Sequence, residues 1–449
     1  KLKKAGLLYL VVQKFSEINL GADTIDNLEM GYMFEELIRK FSEQSNETAG
    51  EHFTPREVIE LMVEVLLDTD LDEITTTDGK VITILDPACG TGGMLSIAQN
   101  KIRALNSRTT VVPFGQELNP ETYATCKSDM ILKNNTNSKI VFGNSFSEDG
   151  FREQKFDYIL SNPPFGVEWK KVKNFIENES KHKGYDGRFG AGTPRISDGS
   201  LLFLQHMISK MQPIEKGGSR IGIVFNGSPL FSGDAGSGES EIRKWIIEKD
   251  LLEAVIGLPD QLFYNTGIST YVWILTNRKT DRRKGKIRLI NGTSFFGKMR
   301  KSLGNKRNEI TESDRKEIVR LYSTYEHDEN YIDFDNDDFG YRKITIERPL
   351  YDENREVVVE KGNPKPNSKL RDTETVPFKE DIHEYFKREV LPHVPDAWID
   401  EKKTKIGYEI PFTRHFYKFT PLRESSVILD EIKQLEEKIQ KSLNELFKG

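Results

Sequence analysis

Short apolar runs alternate with amphipathic segments in the middle of the chain, and this alternation predicts the fold. Seven runs have the length and composition of strands: 81–85, 111–115, 140–142, 156–160, 221–225, 254–258 and 269–275. Three intervening segments have helical spacing: 94–105, 121–133 and 201–211. Strands that alternate with helices predict an α/β fold with a mostly parallel sheet covered on both faces. The last two runs predict a closing antiparallel hairpin.

Helical patterns flank this region. An apolar stripe at helical spacing predicts a helical segment within the first fifty residues: Leu28, Tyr32, Phe34, Leu37, Ile38 and Phe41. A further helix is predicted to begin at Thr54-Pro55, with Thr54 as its N-cap and Pro55 in the first helical position. Near the C-terminus, segment 427–447 carries a heptad-like seam: Ile428, Ile432, Leu435, Ile439, Leu443 and Leu446. This last helix either packs on its own domain or forms an intermolecular coiled coil.

The patterns divide the chain into three parts. We predict a helical remnant of an N-terminal domain over 1–49, an α/β domain over 50–345 and a C-terminal region over 346–449. After about residue 290 the sequence becomes charged, with basic clusters at 298–301 and 306–307, and the polar stretch 352–375 predicts a mobile loop or linker. Because the chain does not begin with Met, we expect a natural N-terminal segment to be missing.

Composition excludes several classes of protein. No run approaches the roughly eighteen apolar residues of a membrane span, and no signal-peptide pattern is present, so we expect a cytoplasmic protein with no membrane partner. The two cysteines, Cys89 and Cys126, are too few for a disulfide scaffold or a thiolate zinc site. The net charge of −6 is unusual for a protein that holds nucleic acid alone. Either nucleic acid is not the substrate, or a local basic face and a partner subunit bind it.

Segment 86–93, Asp-Pro-Ala-Cys-Gly-Thr-Gly-Gly, gives the strongest chemical signal. It follows a predicted parallel strand, where such folds bind cofactors, and its glycines permit a tight turn and close approach of a ligand. By itself such a turn could also serve a dinucleotide or a tight connection. The segment lacks the Gly-Lys-Ser/Thr ending of a phosphate loop. Glu117, at the end of the second predicted strand, is placed to accept both ribose hydroxyls of an adenosine.

Segment 161–165, Ser-Asn-Pro-Pro-Phe, directly follows another predicted strand. Pro163 and Pro164 have no backbone N–H and a fixed φ, so they stiffen the loop and leave its carbonyls free as acceptors. An exocyclic amine on an aromatic base is a poor nucleophile, because its lone pair is delocalised into the ring. If the Asn162 oxygen and the Pro163 carbonyl accept its two hydrogens, the lone pair is aimed at a methyl donor. Phe165 would then stack on the extruded base. Alone, the segment could be a stiff turn with an apolar plug, but its position after a strand favours the catalytic interpretation.

Five segments in order resemble the methyltransferase (M) subunit of type I restriction-modification systems: 50–56, 86–93, 115–119, 161–166 and 254–267. Asn-Pro-Pro-Phe after a strand resembles the catalytic motif of amino-methyltransferases that act on adenine, and 86–93 resembles their cofactor motif. The resemblance covers residues 50–275. It implies a Rossmann-like methyltransferase sheet with helices on both faces, preceded by a helical N-terminal segment and followed by a helical C-terminal region.

The resemblance also implies roles for individual residues. The cofactor would be S-adenosylmethionine, the methyl acceptor would be N6 of adenine in double-stranded DNA, and transfer would be direct, in line and without metal. The catalytic residues would be Asn162, Pro163, Pro164 and Phe165. The cofactor would contact Glu51, His52, Phe53, Thr54, Pro55, Asp86, Gly90, Thr91, Gly92, Gly93, Glu117 and Asn144. Within this set, 51–55 would contact the methionine part, Glu117 the ribose and Asn144 the adenine ring. His52 departs from the residue that many relatives carry.

The same resemblance implies partners. A separate specificity (S) subunit would read the DNA sequence, with two M subunits for each S subunit, and a restriction (R) subunit could join. The C-terminal helix is the expected docking element.

Other reactions fit the sequence less well. Cytosine C5 transfer needs a Pro-Cys nucleophile, which is absent here. Cytosine N4 transfer usually shows Ser in place of Asn162. A protein glutamine N5-methyltransferase uses a similar Asn-Pro-Pro loop and is the main enzymatic alternative, but it predicts a smaller chain without 254–275. A non-catalytic scaffold subunit that binds S-adenosylmethionine could lose Asn162 or Phe165, and this chain keeps both.

Overall fold

The computed structural model describes residues 7–17, 54–133, 135, 137–264, 266–303, 305–417 and 424–446. The chain forms two compact units, Lys1–Pro411 and Phe412–Gly449. The apolar stripe predicted over 28–41 lies outside the described residues. In the described part of the chain, no helix is both long enough and apolar enough to cross a bilayer.

The strands all belong to the larger unit. In chain order they are β1 Val81–Asp86, β2 Thr110–Glu117, β3 Lys139–Phe142, β4 Tyr158–Ser161, β5 Arg220–Asn226, β6 Leu252–Gly257, β7 Thr270–Thr276, β8 Lys286–Asn291, β9 Gly297–Leu303, β10 Lys306–Glu309, β11 Tyr331–Asp335, β12 Gly340–Glu347, β13 Val359–Glu360, β14 Asn363–Pro364, β15 Asp372–Pro377, β16 Trp398–Ile399 and β17 Lys405–Tyr408. Nine of them form the main sheet in the order β11-β8-β6-β7-β5-β4-β1-β2-β3.

The larger unit also contains eleven α-helices among its described residues. They are α1 Leu8–Ser16, α2 Arg56–Leu67, α3 Leu71–Thr76, α4 Gly93–Leu105, α5 Pro120–Leu132, α6 Lys173–Lys183, α7 Ser200–Ser209, α8 Ser228–Phe231, α9 Gly238–Glu248, α10 Glu312–Ser323 and α11 Ile382–Tyr385. The smaller unit contains α12 Phe412–Phe416 and α13 Ser425–Leu446.

The strand directions confirm the predicted α/β fold. Strands β3, β2, β1, β4 and β5 are parallel neighbours, and β7 lies antiparallel between β5 and β6. The predicted hairpin of β6 and β7 is therefore present, but the prediction that it closes the sheet is wrong. Strand β8 pairs with β6, and β11 pairs with β8 beyond it. Both added strands carry charged residues, and Arg288 of β8 pairs with Asp333 of β11 at 2.7 Å.

Helices cover both faces of the main sheet, as predicted. The largest apolar core joins side chains of α2, α4, α5 and α10 to one face. Successive residues of a strand point to opposite faces, so Val224 of β5 joins this core while Phe225 packs on Trp273 with ring centroids 5.2 Å apart. Helix α7 contacts β5, and its Leu202 belongs to a separate apolar cluster.

Helix α2 forms because apolar residues recur at helical spacing, including the buried Val58, Leu61 and Met62. Its N-cap position is Pro55, and no side chain caps it. The predictions that Thr54 caps this helix and that Pro55 is its first helical residue are therefore wrong, because the helix begins one residue later than expected. The Thr54 hydroxyl accepts a hydrogen bond from Asn162 instead.

A smaller sheet follows the main one. Strand β12 pairs with β15, β16 and β17, all antiparallel. It runs through residues 345 and 346, where we placed a domain boundary, and the three-part division stays a prediction. The predicted linker 352–375 contains the short antiparallel pair β13 and β14 and the beginning of β15.

Candidate active site

Residues that are distant in the sequence meet at one edge of the main sheet. Asn162 follows β4, Asp86 ends β1, Glu117 ends β2 and Asn144 lies just beyond β3. These four strands are parallel neighbours in the order β4, β1, β2, β3, so their carboxyl ends lie side by side. The predicted catalytic loop therefore lies directly beside the glycine-rich turn, at the edge where open α/β sheets bind ligands.

The glycine-rich turn between β1 and α4 packs tightly on one side and is open on the other. Gly90 and Gly92 have φ of +55° and +84°. A Cβ on Gly92 would lie 2.7 Å from Cys126 Sγ and 2.7 Å from Met130 Cε, so the turn needs glycine there to pack on α5. A Cβ on Gly90 or Gly93 would meet no heavy atom within 4 Å. This open side leaves room for a ligand.

Glu117 connects the end of β2 to the turn. Its Oε2 accepts a hydrogen bond from the Gly90 backbone N–H at 2.9 Å, and its Oε1 accepts one from Asn119 at 2.7 Å. Both carboxylate oxygens thus accept a backbone N–H, and these bonds set the orientation of the side chain. The carboxylate lies beside the glycine turn as the sequence predicts, and its role toward a ribose stays a prediction.

Asp86 is a buried carboxyl group between β1 and β4. Burial raises its pKa to about 7, even though the Ala88 N–H at 3.0 Å and the Ser161 hydroxyl at 2.9 Å both donate to Oδ1. The negative charge of Glu117 also raises this pKa. Sequence analysis did not assign a role to Ser161, although a polar residue at the end of an apolar strand was a usable signal. Its hydroxyl joins segment 161–165 to the start of the glycine-rich turn.

The amide nitrogen of the Asn162 side chain has a hydrogen-bond partner, whereas its amide oxygen has none among the described residues. Its Nδ2 donates to the Thr54 hydroxyl oxygen at 2.9 Å, across 108 positions of sequence. Its Oδ1 is buried and has no hydrogen-bond partner among the described residues. A buried acceptor without a partner costs about 1–3 kcal/mol, and such an atom in a native fold calls for a specific explanation. Here the atom is an amide oxygen in the loop after β4, and the preceding residue, Ser161, hydrogen-bonds to Asp86 at the start of the glycine turn.

The rest of the predicted catalytic loop is largely buried. Pro163 and Phe165 are buried, and Pro164 is half-buried. The Phe165 ring packs edge to face on Phe263, with centroids 6.5 Å apart. Phe263 lies in the loop after β6, within the fifth segment on which the resemblance rests. Stacking of Phe165 on a base stays a prediction.

Asn144 organises the loop after β3. Its Oδ1 accepts the backbone N–H of Phe146 at 2.9 Å and of Ser147 at 3.3 Å, so the side chain closes a local turn. The Ser145 hydroxyl donates to the Pro87 carbonyl at 2.5 Å, which joins this loop to the glycine-rich turn. Arg188 donates to the Ser145 and Phe146 carbonyls at 3.0 and 2.6 Å. Sequence analysis missed Arg188, because no motif surrounds it.

Of the other residues predicted to contact the cofactor, some lie among the residues that the structure describes and others do not. Glu51, His52 and Phe53 lie outside the described residues, as does Asn265 of the fifth segment. Thr54 and Thr91 are half-buried, and Pro55 is buried at the start of α2. Thr54 contacts the predicted catalytic residue Asn162, although the sequence pointed to the cofactor.

The sequence is similar to one family of DNA methylases and to named methylase subunits. The family profile described as "N-6 DNA Methylase" matches residues 26–340. The type I restriction enzyme MjaIX methylase subunit of Methanocaldococcus jannaschii is 29% identical over 343 residues, covering 74% of this chain and 55% of that protein. The HindI methylase subunit of Haemophilus influenzae is 31% identical over 280 residues, covering 61% and 55%. The chain thus spans about half the length of these curated relatives.

Comparison with solved structures agrees with the sheet described above. The type I restriction-modification methyltransferase subunit from Streptococcus thermophilus has a TM-score of 0.57 and 27% identity, covering 69% of this chain and 60% of that one. A chain from a structure describing assembly and conformational transition of the type I restriction-modification system has a TM-score of 0.54 and 20% identity, covering 97% of this chain and 73% of that one. The second likeness shows the fold alone.

Proposed function

The chain belongs to the N-6 DNA methylase family, and from that premise we propose that it is the modification subunit of a type I restriction-modification system. Its reaction would transfer a methyl group from S-adenosylmethionine to N6 of adenine in double-stranded DNA. One observation carries the proposal: the buried Oδ1 of Asn162 has no hydrogen-bond partner in the described chain and lies beside a glycine turn with an open side. That is the acceptor an amino group needs.

The residues at the strand ends fit S-adenosylmethionine. The open side of the turn at Gly90 and Gly93 would receive it, and the Glu117 carboxylate, which lies against the turn, would accept its ribose hydroxyls. The loop of Asn144 would lie near its adenine ring, and Thr91 would line the pocket. The methionine part would contact segment 51–55. When bound, S-adenosylmethionine supplies an electrophilic methyl group carried on a sulfonium.

The catalytic loop would prepare the adenine nitrogen for attack. The N6 amine would donate its two hydrogens to Asn162 Oδ1 and the Pro163 carbonyl, which draws the nitrogen toward a tetrahedral shape. Because Asn162 Nδ2 is held by Thr54, the oxygen of the carboxamide keeps a fixed direction. With S-adenosylmethionine bound, the nitrogen would receive the methyl group as the sulfonium becomes a thioether, and one N–H hydrogen would leave as a proton. Phe165 would stack on the extruded base.

Helix α13 would dock the chain onto a specificity subunit. Apolar side chains on this helix are exposed, among them Ile428 at 41%, Ile432 at 50%, Leu435 at 58% and Ile439 at 58%. They follow the heptad-like seam and offer a surface for a partner helix. Two such chains would bind one specificity subunit. Deletion of 427–449 should abolish co-purification with that subunit, and co-purification of the truncated chain would contradict the assignment.

The function is tested by methyl transfer to DNA. The chain and a co-expressed specificity subunit would be incubated with tritiated S-adenosylmethionine and duplex DNA, and the labelled nucleosides would be separated. The proposal predicts N6-methyladenine as the labelled product. Label in protein glutamine would indicate the glutamine methyltransferase, and cofactor binding without transfer to any acceptor would indicate a scaffold subunit.

A further inference from the structure

The antiparallel strands β9 and β10 form a basic hairpin, residues 297–309. In a chain of net charge −6, this segment carries five Lys and Arg residues and one Glu. Lys298, Arg300, Lys301 and Arg307 are exposed. None of these four makes an ion pair within the part of the chain that the structure describes.

Many other exposed cations on the chain form ion pairs, unlike these four. Lys316 pairs with Glu312 at 2.7 Å, Lys379 with Asp338 at 2.6 Å and Arg388 with Glu380 at 2.9 Å. Carboxylates therefore neutralise those cations locally. The hairpin instead presents several uncompensated positive charges together, and such a surface attracts a polyanion.

The hairpin is fixed to the loop that supports the catalytic motif. The backbone N–H of Arg307 donates to the Gln261 carbonyl at 2.9 Å, and that of Asn305 donates to the Tyr264 carbonyl at 2.8 Å. Gln261 has a φ of +58°, a conformation that is unfavourable for a non-glycine residue and persists only where the surroundings enforce it. Phe263, within the same loop, packs on Phe165.

A second connection runs through Lys306, the one buried cation of the hairpin. Its Nζ donates to the Leu262 carbonyl at 3.1 Å and pairs with the Glu57 carboxylate. Glu57 lies on α2, one turn beyond Thr54, which holds the Asn162 amide. Two independent sets of contacts thus hold the hairpin beside the catalytic loop.

We propose that Lys298, Arg300, Lys301 and Arg307 bind phosphates of the duplex DNA that flanks the extruded adenine. The inference rests on the proposed function and deepens it, because it assigns a DNA-contacting surface to the modification subunit itself. A two-stranded ribbon can follow a groove of B-form DNA, and lysine and arginine supply affinity by displacing the counterions of the phosphates. These contacts are independent of sequence, so the specificity subunit keeps its role.

The test compares two variants with equal changes of charge. The hairpin variant carries Lys298→Gln, Arg300→Gln and Lys301→Gln. The control carries Lys216→Gln, Lys249→Gln and Lys286→Gln, three exposed lysines at the amino ends of β5, β6 and β8, the edge of the sheet opposite the site. Binding of a fluorescent duplex to the complex with the specificity subunit would be measured by anisotropy between 50 and 200 mM salt.

Affinity falls as salt rises, so the slope of log affinity against log salt is negative. Loss of three phosphate contacts should make this slope shallower by about 2.7. Over that fourfold range of salt, the wild type should therefore lose roughly 40-fold more affinity than the hairpin variant. The control should keep the wild-type slope, and Lys298→Arg, Arg300→Lys and Lys301→Arg together should also keep it. An unchanged slope in the hairpin variant, or an equal loss in the control, overturns the proposal, and the charges then serve only to block edge-to-edge pairing of the hairpin.

Methyl transfer and cofactor binding, measured on the same preparations, separate this proposal from the function itself. If the wild type methylates adenine while the hairpin variant keeps its salt slope, only the hairpin proposal fails. If the wild type binds DNA with the expected slope but transfers no methyl group, only the methyltransferase proposal fails.

Discussion

Replacement of Asn162 by Ala separates catalysis from folding. The buried Asn162 Oδ1 without a described partner destabilises the native state by about 1–3 kcal/mol, and the substitution removes this penalty. The substitution also removes the hydrogen bond to Thr54, which stabilises the native state by about 0.5–1.5 kcal/mol. These effects oppose each other. The free energy of unfolding, measured in urea, should therefore stay within about 1 kcal/mol of the wild type or rise.

Catalysis should respond very differently to Asn162→Ala. Loss of one preorganised hydrogen-bonding group at a reacting centre typically lowers kcat about 100- to 1000-fold. The side chain makes no described contact with the glycine turn, so the affinity for S-adenosylmethionine should be unchanged. Single-turnover transfer of tritiated methyl groups gives the rate, and isothermal titration calorimetry gives the affinity.

Asn291→Ala is the matched control. Asn291 also lies at the carboxyl end of a strand of the main sheet, but its Oδ1 accepts hydrogen bonds from Thr293 and the residue is far along the sheet from β4. The methyl-transfer rate of Asn291→Ala should equal that of the wild type. The reasoning would be refuted if Asn162→Ala kept its rate within threefold, or if it lost cofactor affinity and stability together with activity.

Three further predictions concern the neighbours of Asn162. Thr54→Val should lower kcat about 3- to 10-fold with little change in KM, because one hydrogen bond that orients the amide is lost, and Thr54→Ser should restore the rate. Gly92→Ala should lower the free energy of unfolding by more than about 1 kcal/mol, whereas Gly93→Ala should leave it unchanged and weaken cofactor binding; calorimetry and urea denaturation on both variants check this contrast. Burial raises the pKa of Asp86 to about 7, so its contribution to stability is present below the unfolded pKa near 3.8 and is lost as the pH rises through 7. The unfolding free energy of the wild type minus that of Asp86→Asn should fall between pH 5 and pH 8, and a constant difference would contradict this assignment.

The seven strands predicted from the sequence are present because each contains an apolar run of the main sheet. Most of their side chains are buried, whereas β3, at the edge of the sheet, has only Ile140 buried. Strands β8 and β11 escaped prediction because their stability depends partly on the pair of Arg288 and Asp333, and a charged residue in a strand looks like surface until its partner is known. The closing position of the hairpin was wrong for the same reason. Pairing between distant strands is a tertiary property that local pattern does not contain.

Some residues of the candidate site could also be predicted from the sequence, and others could not. Asp86, Glu117 and Asn162 could be placed from sequence because each follows an apolar strand, and parallel strands bring their carboxyl ends together. The contact of Thr54 with Asn162 could not be predicted, because it joins the start of a helix to a loop 108 residues away. Arg188 was missed because its role depends on two backbone carbonyls, which leave no trace in the sequence.

The most direct measurement of the central claim is a structure of the complex with duplex DNA and a non-reactive analogue of S-adenosylmethionine. The account predicts an extruded adenine whose N6 lies within hydrogen-bonding distance of Asn162 Oδ1, about 2.7–3.2 Å, with the analogue over the glycine turn. An Asn162 oxygen bonded to another protein group, with the adenine held elsewhere, would contradict it.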